Sequence, residues 1–453
     1  MKNEQLNKNS LLDYLQQVPK ERPFLILRES KYTFGDVVAL YYRLKSEYGY
    51  LADKNCAIVS KDRASLALYL PVIDGMCKSI FLQPTDIIDN DSEFYQSGSI
   101  DYIISLENTS ITSVKKVINV NKSDLNLSHK RYLLATSGTT GTPKLASYTL
   151  NALLSTAKNN ISKGAGFIWG LSYDINRFAG LQVYLQSIAS GSALAIPDPL
   201  FSIKNTVDFF IRENINCLSA TPSFWRKLLM VPDHRDIPFK RITLGGEISN
   251  QSILSALTSS FPQSTIVHIY ASTEVGVGFA VKDRLEGFPI DFLDNPSIIN
   301  CHLIVKDGLL WVKSSNGCSG FLKGKLDIDS DGFVDTGDMV QIVNNRVVFL
   351  GRASGSINVG GNKVMPEKVE SVLESHDAIV MAKVFPKNNS VLGSLIVSEV
   401  TLNKSIDVEL AKKLKKEILL FCREKLEPFE VPALIKFVDS IATNATGKKV
   451  RNS

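Results

Sequence analysis

The sequence predicts an α/β protein: a large N-terminal domain of layered α/β subdomains plus a β-rich subdomain, then a small C-terminal α+β domain. Three observations carry this. Short apolar, β-rich runs alternate with helix-period stretches through the first two-thirds of the chain, the pattern of a parallel sheet covered on both faces. Near residue 300 the alternation gives way to hairpin signals. Between Gly351 and Gly361 four glycines interrupt the pattern and the element order changes beyond them, which puts the domains at 1–350 and 351–453.

In order, "YTFGDVVALYYRLKSEY" starts a helix, with Thr33 as N-cap and Asp36 three residues on as a capping box. "NCAIVSKD" reads as a buried strand, "RASLALYLPVIDGMCKS" as a helix and "IFLQP" as the next strand. "DYIISL" and "RYLLATS" continue the strands, and "TLNALLSTAKNNI" is the helix expected after the loop that follows Thr136. "HLIVKDGLLWVKS" turns at "KDG" and "DGFVDTGDMVQIVNNRVVFLGR" turns at "NN", two hairpins. Beyond the glycines come a helix at "PEKVESVLESHD", strands at "IVMAKVF" and "GSLIVSEV", and a long helix from about Asp407 to Lys425.

Composition narrows the function class. At 453 residues the chain needs more than one core, and 44% hydrophobic with 21% charged residues is ordinary for a globular protein. The net charge of +5 is dispersed, and the densest basic run, "AKKLKKEILLFCREK", reads as a solvated helix face; nucleic acid is therefore not an expected partner. The six cysteines have no C-x-x-C pair and the five histidines are scattered, so no metal cluster of that kind is expected and the thiols suit a reducing compartment. The N-terminus has no signal-peptide apolar region and no apolar run approaches a membrane span, which makes the cytoplasm the expected location.

Five stretches carry the chemistry. Thr136, Ser137, Gly138, Thr139, Thr140 and Gly141, ending at Lys144, form a loop expected between a strand and a helix. Its backbone N–H groups and hydroxyls can cradle phosphate while Lys144 meets the outer phosphates. The spacing is not that of G-x-x-x-x-G-K-[ST], because Gly138 and Gly141 are three apart and Leu145 follows the lysine, which disfavours a P-loop kinase. In "HIYASTEVG", Tyr270 suits a purine face and Glu274 is a hard oxygen ligand for Mg²⁺. "VDTGD" ends in Asp338, an acceptor for two ribose hydroxyls, although alone it reads as a turn aspartate. "GRASGSINVGGNKVMPEKVE" holds Arg352 at the domain junction, and "NATGKKVR" is a lysine-bearing turn near the end, a kind of segment usually frayed.

Together, in this order and spacing, the five stretches resemble the adenylate-forming superfamily, which includes acyl- and aryl-CoA ligases and the adenylation domains of peptide synthetases. The phosphate-loop pattern [ST]-[ST]-G-[ST]-T-G-x-P-K is met at every position from Thr136 to Lys144, and Y-[GA]-x-T-E by Tyr270, Thr273 and Glu274 in their places. T-G-D, G-R and T-G-K are met by Thr336–Asp338, Gly351–Arg352 and Thr446–Lys448, so the resemblance runs over nearly the whole chain. It implies an ATP-dependent acid–thiol ligase that first makes an acyl-adenylate, releasing pyrophosphate, and then passes the acyl group to a pantetheine thiol. By the same resemblance Lys144 and the loop hydroxyls hold the departing phosphates, and Glu274 with Thr140 places Mg²⁺. Tyr270 stacks on adenine, Gly245, Gly246 and Glu247 wall its pocket, and Asp338 with Arg352 grips the ribose. Lys448 is the implied catalytic cation, carried by a small C-terminal lid that rotates between the two half-reactions, and Lys449 is the alternative to it.

"NVGGNKVMPEKVE" resembles the form common in CoA ligases, with Gly360 and Gly361 leaving room for a pantetheine arm; this favours CoA, with an acyl carrier protein as the other acceptor. A catalytically lapsed nucleotide-binding homologue is the reading from another class, and the intact Lys144, Glu274, Asp338, Arg352 and Lys448 argue against it. Four positions depart from the usual pattern. Ser354 stands where the hinge commonly carries Asp or Lys, and His268 and Ala271 replace the frequent Asn and Gly. Arg177 occupies a position often aromatic or His, so it either reads the small carboxylic acid substrate or turns outward to pair with Asp174. His268 likewise either lines the acyl pocket or packs in its strand.

Overall fold

The structure is a computed structural model that describes residues 9–86, 92–118, 130–136, 144–299, 301–323, 326–389, 393–404, 406–444 and 447–450. Two large mixed sheets form its body. In the first, the central strands Thr265–Ser272, Arg241–Gly245, Cys217–Ala220, Ile168–Leu171, Ala193–Ala195 and Pro23–Ile26 lie side by side and parallel. Antiparallel strands Gly276–Val281 and Lys31–Thr33 close its two edges. The second sheet has a parallel centre, Arg131–Thr136, Ser79–Gln83, Asn55–Ser60 and Tyr102–Glu107, again with antiparallel edges.

The expected parallel α/β order therefore holds at the sheet centres, and the helices behave as their caps dictate. Helix Phe34–Tyr48 opens on the Thr33–Asp36 capping box, and helix Arg63–Asp74 on Asp62, whose carboxylate accepts from the Ser65 N–H. One expectation fails. Lys144–Tyr148 is a strand paired antiparallel with Arg131–Thr136, Lys144 opposite Thr136, and the helix after it spans only Leu150–Leu154. The phosphate loop thus joins two strands rather than a strand and a helix. The burial pattern explains it: Leu145, Ala146 and Tyr148 are buried in the sheet, and the Thr149 N-cap delays the helix.

Strands Phe288–Pro289, Cys301–Lys306, Leu309–Ser314, Val334–Val343 and Arg346–Arg352 form a five-stranded antiparallel sheet holding both predicted hairpins, Lys306 opposite Leu309 and Val343 opposite Arg346. Beyond it, Ile357–Val359 and Asn362–Val364 form a small hairpin that starts within the glycine-rich stretch, which is therefore more ordered than its composition suggests. Helix Pro366–Glu374, helix Val408–Lys425 and a three-stranded sheet follow, sharing a core of their own that includes Val369, Leu373, Val384, Ile418 and Cys422. Among the described residues no helix is long and apolar enough to cross a membrane.

Candidate active site

A cavity of about 1600 Å³ opens where the first sheet, the antiparallel sheet and the C-terminal residues meet. It is lined by Thr136, Lys144, Arg177, Gly245, Gly246, Glu247, His268, Tyr270, Thr273, Glu274, Asp338, Arg352 and Lys448. These come from eight separate segments, and the parallel strands deliver most of them because Gly245 and Tyr270 lie at or near the carboxyl ends of neighbouring strands.

The antiparallel hairpin brings two motifs face to face. Asp338 pairs directly with Arg352 across the strands, and its carboxylate lies 3.1 Å from the Arg352 Nε. The Tyr270 hydroxyl donates to the other Asp338 oxygen at 2.7 Å. Burial pushes the Asp338 carboxyl up, and the neighbouring Arg352 and Tyr270 only partly offset it. The Tyr270 ring is stacked against Phe279 and Phe349, with centroids 5.2 and 5.3 Å away, so its plane is fixed before any ligand arrives.

Lys448 reaches this site from the far end of the chain. Its side chain passes within van der Waals reach of Gly246, and burial lowers its pKa, helped by the like charge of Arg352 and opposed by Glu247, Asp338 and Glu274. The approach depends on Gly447, whose φ is +74° and whose carbonyl accepts from the Thr221 hydroxyl at 2.7 Å. A Cβ at 447 would sit 3.2 Å from that same oxygen. Thr221 also caps helix Pro222–Leu229, so one side chain both starts a helix and docks the tail.

Lys449 turns the other way. Its ammonium lies 2.7 Å from Glu374 and 3.1 Å from Glu370, and its backbone N–H donates to Glu247 at 3.0 Å. Glu374 also pairs with Arg226 at 3.0 Å, with every member of this cluster at least nine-tenths buried. Burial alone would raise the Glu374 carboxyl, but Arg226 and Lys449 beside it hold it below the usual range. Sequence reasoning missed Thr221, Arg226, Glu370 and Glu374. The four-residue spacing of the two glutamates, one helix face, was the available signal.

Other expectations fare variously. Lys144 sits at the strand start with its ammonium 5.1 Å from the Phe321 ring centre, and its N–H donates to the Thr136 hydroxyl. Ser137, Gly138, Thr139, Thr140 and Gly141 lie outside the described residues, as does Thr446. Arg177 does not pair with Asp174, which is taken by Arg63 at 2.5 Å; it binds Asp86 at 2.6 Å and the Ala135 carbonyl at 3.2 Å while lining the cavity. His268 lines the cavity with Nε2 3.0 Å from the Leu285 carbonyl, and burial lowers its pKa. Gly360 and Gly361 do not join the site. They form the exposed turn of a hairpin, at φ +58° and +91°, and that turn is the physical reason for both glycines.

The family described as "AMP-binding enzyme" matches residues 80–302, and "AMP-binding enzyme C-terminal domain" matches residues 368–448. The chain belongs to the adenylate-forming superfamily. It is an AMP-forming acid–thiol ligase in class. Among its relatives, the 2-succinylbenzoate–CoA ligase of Bacillus velezensis is 24% identical over 71% of this chain and 67% of its own length. The D-alanine–D-alanyl carrier protein ligase of Bacillus cytotoxicus is 24% identical over 70% of this chain and 68% of its own. The fold matches the o-succinylbenzoate CoA synthetase of Bacillus subtilis, solved with an acyl-adenylate, at TM-score 0.71 and 19% identity over 98% and 97% of the two chains. An anthranilate CoA ligase matches at TM-score 0.77 and 16% identity over 97% and 95%.

Proposed function

We propose that this adenylate-forming enzyme activates a small carboxylic acid with ATP and Mg²⁺ and transfers the acyl group to CoA. The observation that carries the reading is Lys448. A buried ammonium with a lowered pKa faces a cavity that also holds the Asp338–Arg352 pair and Tyr270. Such a cation stabilises charge that builds as a carboxylate attacks the α-phosphate. Lys448 is therefore the catalytic cation, and its position corresponds to the adenylating half-reaction. Asp338 and Arg352 bind the ribose, Tyr270 orients adenine, and Gly245, Gly246 and Glu247 wall the base pocket. Thr136, Thr273 and Lys144 serve the phosphate side with the loop from Ser137 to Gly141.

No described side chain bonds the Glu274 carboxylate, and its hard oxygens suit Mg²⁺. The ion, held by Glu274 with Thr140, would neutralise phosphate charge when bound. Arg177 and His268 face the acid. Residues 1–350 act as the adenylation core and 351–453 as the lid; rotation of the lid would withdraw Lys448 and carry Gly360 and Gly361 towards the pantetheine path. The D-alanyl carrier protein ligase among the relatives favours a second reading, transfer to a carrier protein's phosphopantetheine. A lapsed homologue is disfavoured by the intact Lys448, Asp338 and Arg352. Pyrophosphate–ATP exchange across a panel of acids tests activation, and no exchange with any acid would refute it. Thioester formation with CoA against a holo carrier protein then assigns the acceptor, and the cytoplasm remains the proposed location.

A further inference from the structure

Cations line both ends of the cavity, but those at the Lys448 end, Arg226, Arg352 and Lys449, have carboxylate partners. The lining acids Glu247, Glu274, Asp338, Glu370 and Glu374 lie around the Lys448 end. At the other end the lining includes Lys158, Lys163, Arg241 and Lys282. Among the described residues no ion pair engages any of these cations, and they depress the pKa of Lys158 by mutual repulsion, Arg241 first.

The sheet gives the distance between the ends. Arg241 begins the strand that ends at Gly245, beside the Gly246 that Lys448 approaches, so the two ends lie about 13 Å apart at the usual strand rise. The same sheet face carries Trp169, Cys217 and Arg241 in register at the basic end, with Ser219 and Thr243 one step nearer Lys448. Thr243 Oγ1 and Arg241 Nε are buried on this floor with no hydrogen-bond partner, and Thr243 is only 3% exposed. Unpaired buried donors are costly unless a ligand meets them, and the three exposed lysines beside them are free to close on one.

We propose that the acid substrate carries a second anionic group at the end remote from the reacting carboxylate, a dicarboxylate in the simplest case, held by Arg241, Lys282, Lys158 and Lys163. Phe167, Trp169 and Val183 also line the cavity and supply apolar surface for the rest of the acid. This rests on the ligase reading above. The shared chemistry is an anion, and CoA's phosphates are its other source.

The test compares decanedioic acid, its monoamide and decanoic acid in pyrophosphate–ATP exchange. The expected result is a kcat/KM for the diacid about ten- to hundredfold above the two neutral-ended acids. Arg241→Met, and separately the exposed Lys163→Ala/Lys282→Ala pair, should erase that preference and leave decanoic acid unchanged. Equal or better use of the neutral-ended acids by the unaltered enzyme overturns the proposal. An unaltered acid preference with a raised KM for CoA in the variants also overturns it, assigning the cations to CoA. If no acid supports exchange, the ligase reading fails. Calorimetry of decanedioic against decanoic acid, on the parent and on the Lys163→Ala/Lys282→Ala protein, then decides the anion site alone: diacid binding lost in the variant supports it, and no diacid preference sinks it.

Discussion

Lys448→Ala is expected to separate the two half-reactions. The side chain enters a buried site where Asp338, Glu274 and Glu247 favour its charge and Arg352 opposes it. A unit charge about 4 Å from a developing negative charge is worth about 4 kcal/mol at an effective dielectric of 20. Loss of one preorganised donor to such a charge costs about 10²–10³ in rate. The expected outcome is a fall of that size in pyrophosphate–ATP exchange, with thioester formation from chemically prepared acyl-adenylate unchanged. The lowered pKa adds a signature. Lys448 loses its proton at a lower pH than an ordinary lysine, so exchange should decline on the alkaline side through that lowered pKa. The stability sign is opposite: the unfolded chain binds this proton more tightly, so this residue's contribution to stability rises with pH through the same window. Normal exchange in the variant, or equal loss in both half-reactions, refutes the assignment.

Lys449→Met leaves Glu370 without its lysine and Glu374 with Arg226 as its remaining cation, beside hydrogen bonds from Asn250 and the Ala382 N–H, so a loss of about 3–5 kcal/mol in stability or lid docking is expected, read by thermal denaturation; an unchanged Tm would show the cluster does not hold the tail. Glu374 is held below its usual pKa, so its contribution is present above the unfolded value and lost as pH falls through the folded one; Glu374→Gln should flatten that acid limb in a pH series of Tm. Gly447→Ala forces a Cβ against Thr221 at φ +74° and should slow exchange while sparing thioester formation, at a cost of about 1–3 kcal/mol; normal exchange would remove the docking argument. Arg177→Leu should change the ranking of acids in exchange, and an unchanged ranking refutes a substrate-facing role.

Legibility in the sequence tracked how local the determinant was. Capping at Thr33 and the turns at "KDG" and "NN" follow from adjacent residues, and each stands where it was expected. The antiparallel return of Lys144–Tyr148 did not, because its partner strand decides it rather than its own weak pattern. The Asp338–Arg352 pair shows the intermediate case. Counting outward from the turn, where Val343 faces Arg346, sets Gly351 opposite Asp338. A bulge between Met339 and Val340 shifts the register by one residue and puts the guanidinium there instead. Two short motifs separated by a hairpin could be read as neighbours, but the contact between them hangs on a bulge no local pattern announces. The same holds for the tail. "TGKK" offers two adjacent lysines of identical chemistry, and only the partners that folding supplies tell them apart. Glu370 and Glu374 capture one, which leaves the other to the cavity. On the proposed reading the carboxylates that hold Lys449 are what leave Lys448 to the reaction, so Glu370→Gln/Glu374→Gln, which alters neither lysine, should slow pyrophosphate–ATP exchange by loosening the tail, and unchanged exchange would refute that link.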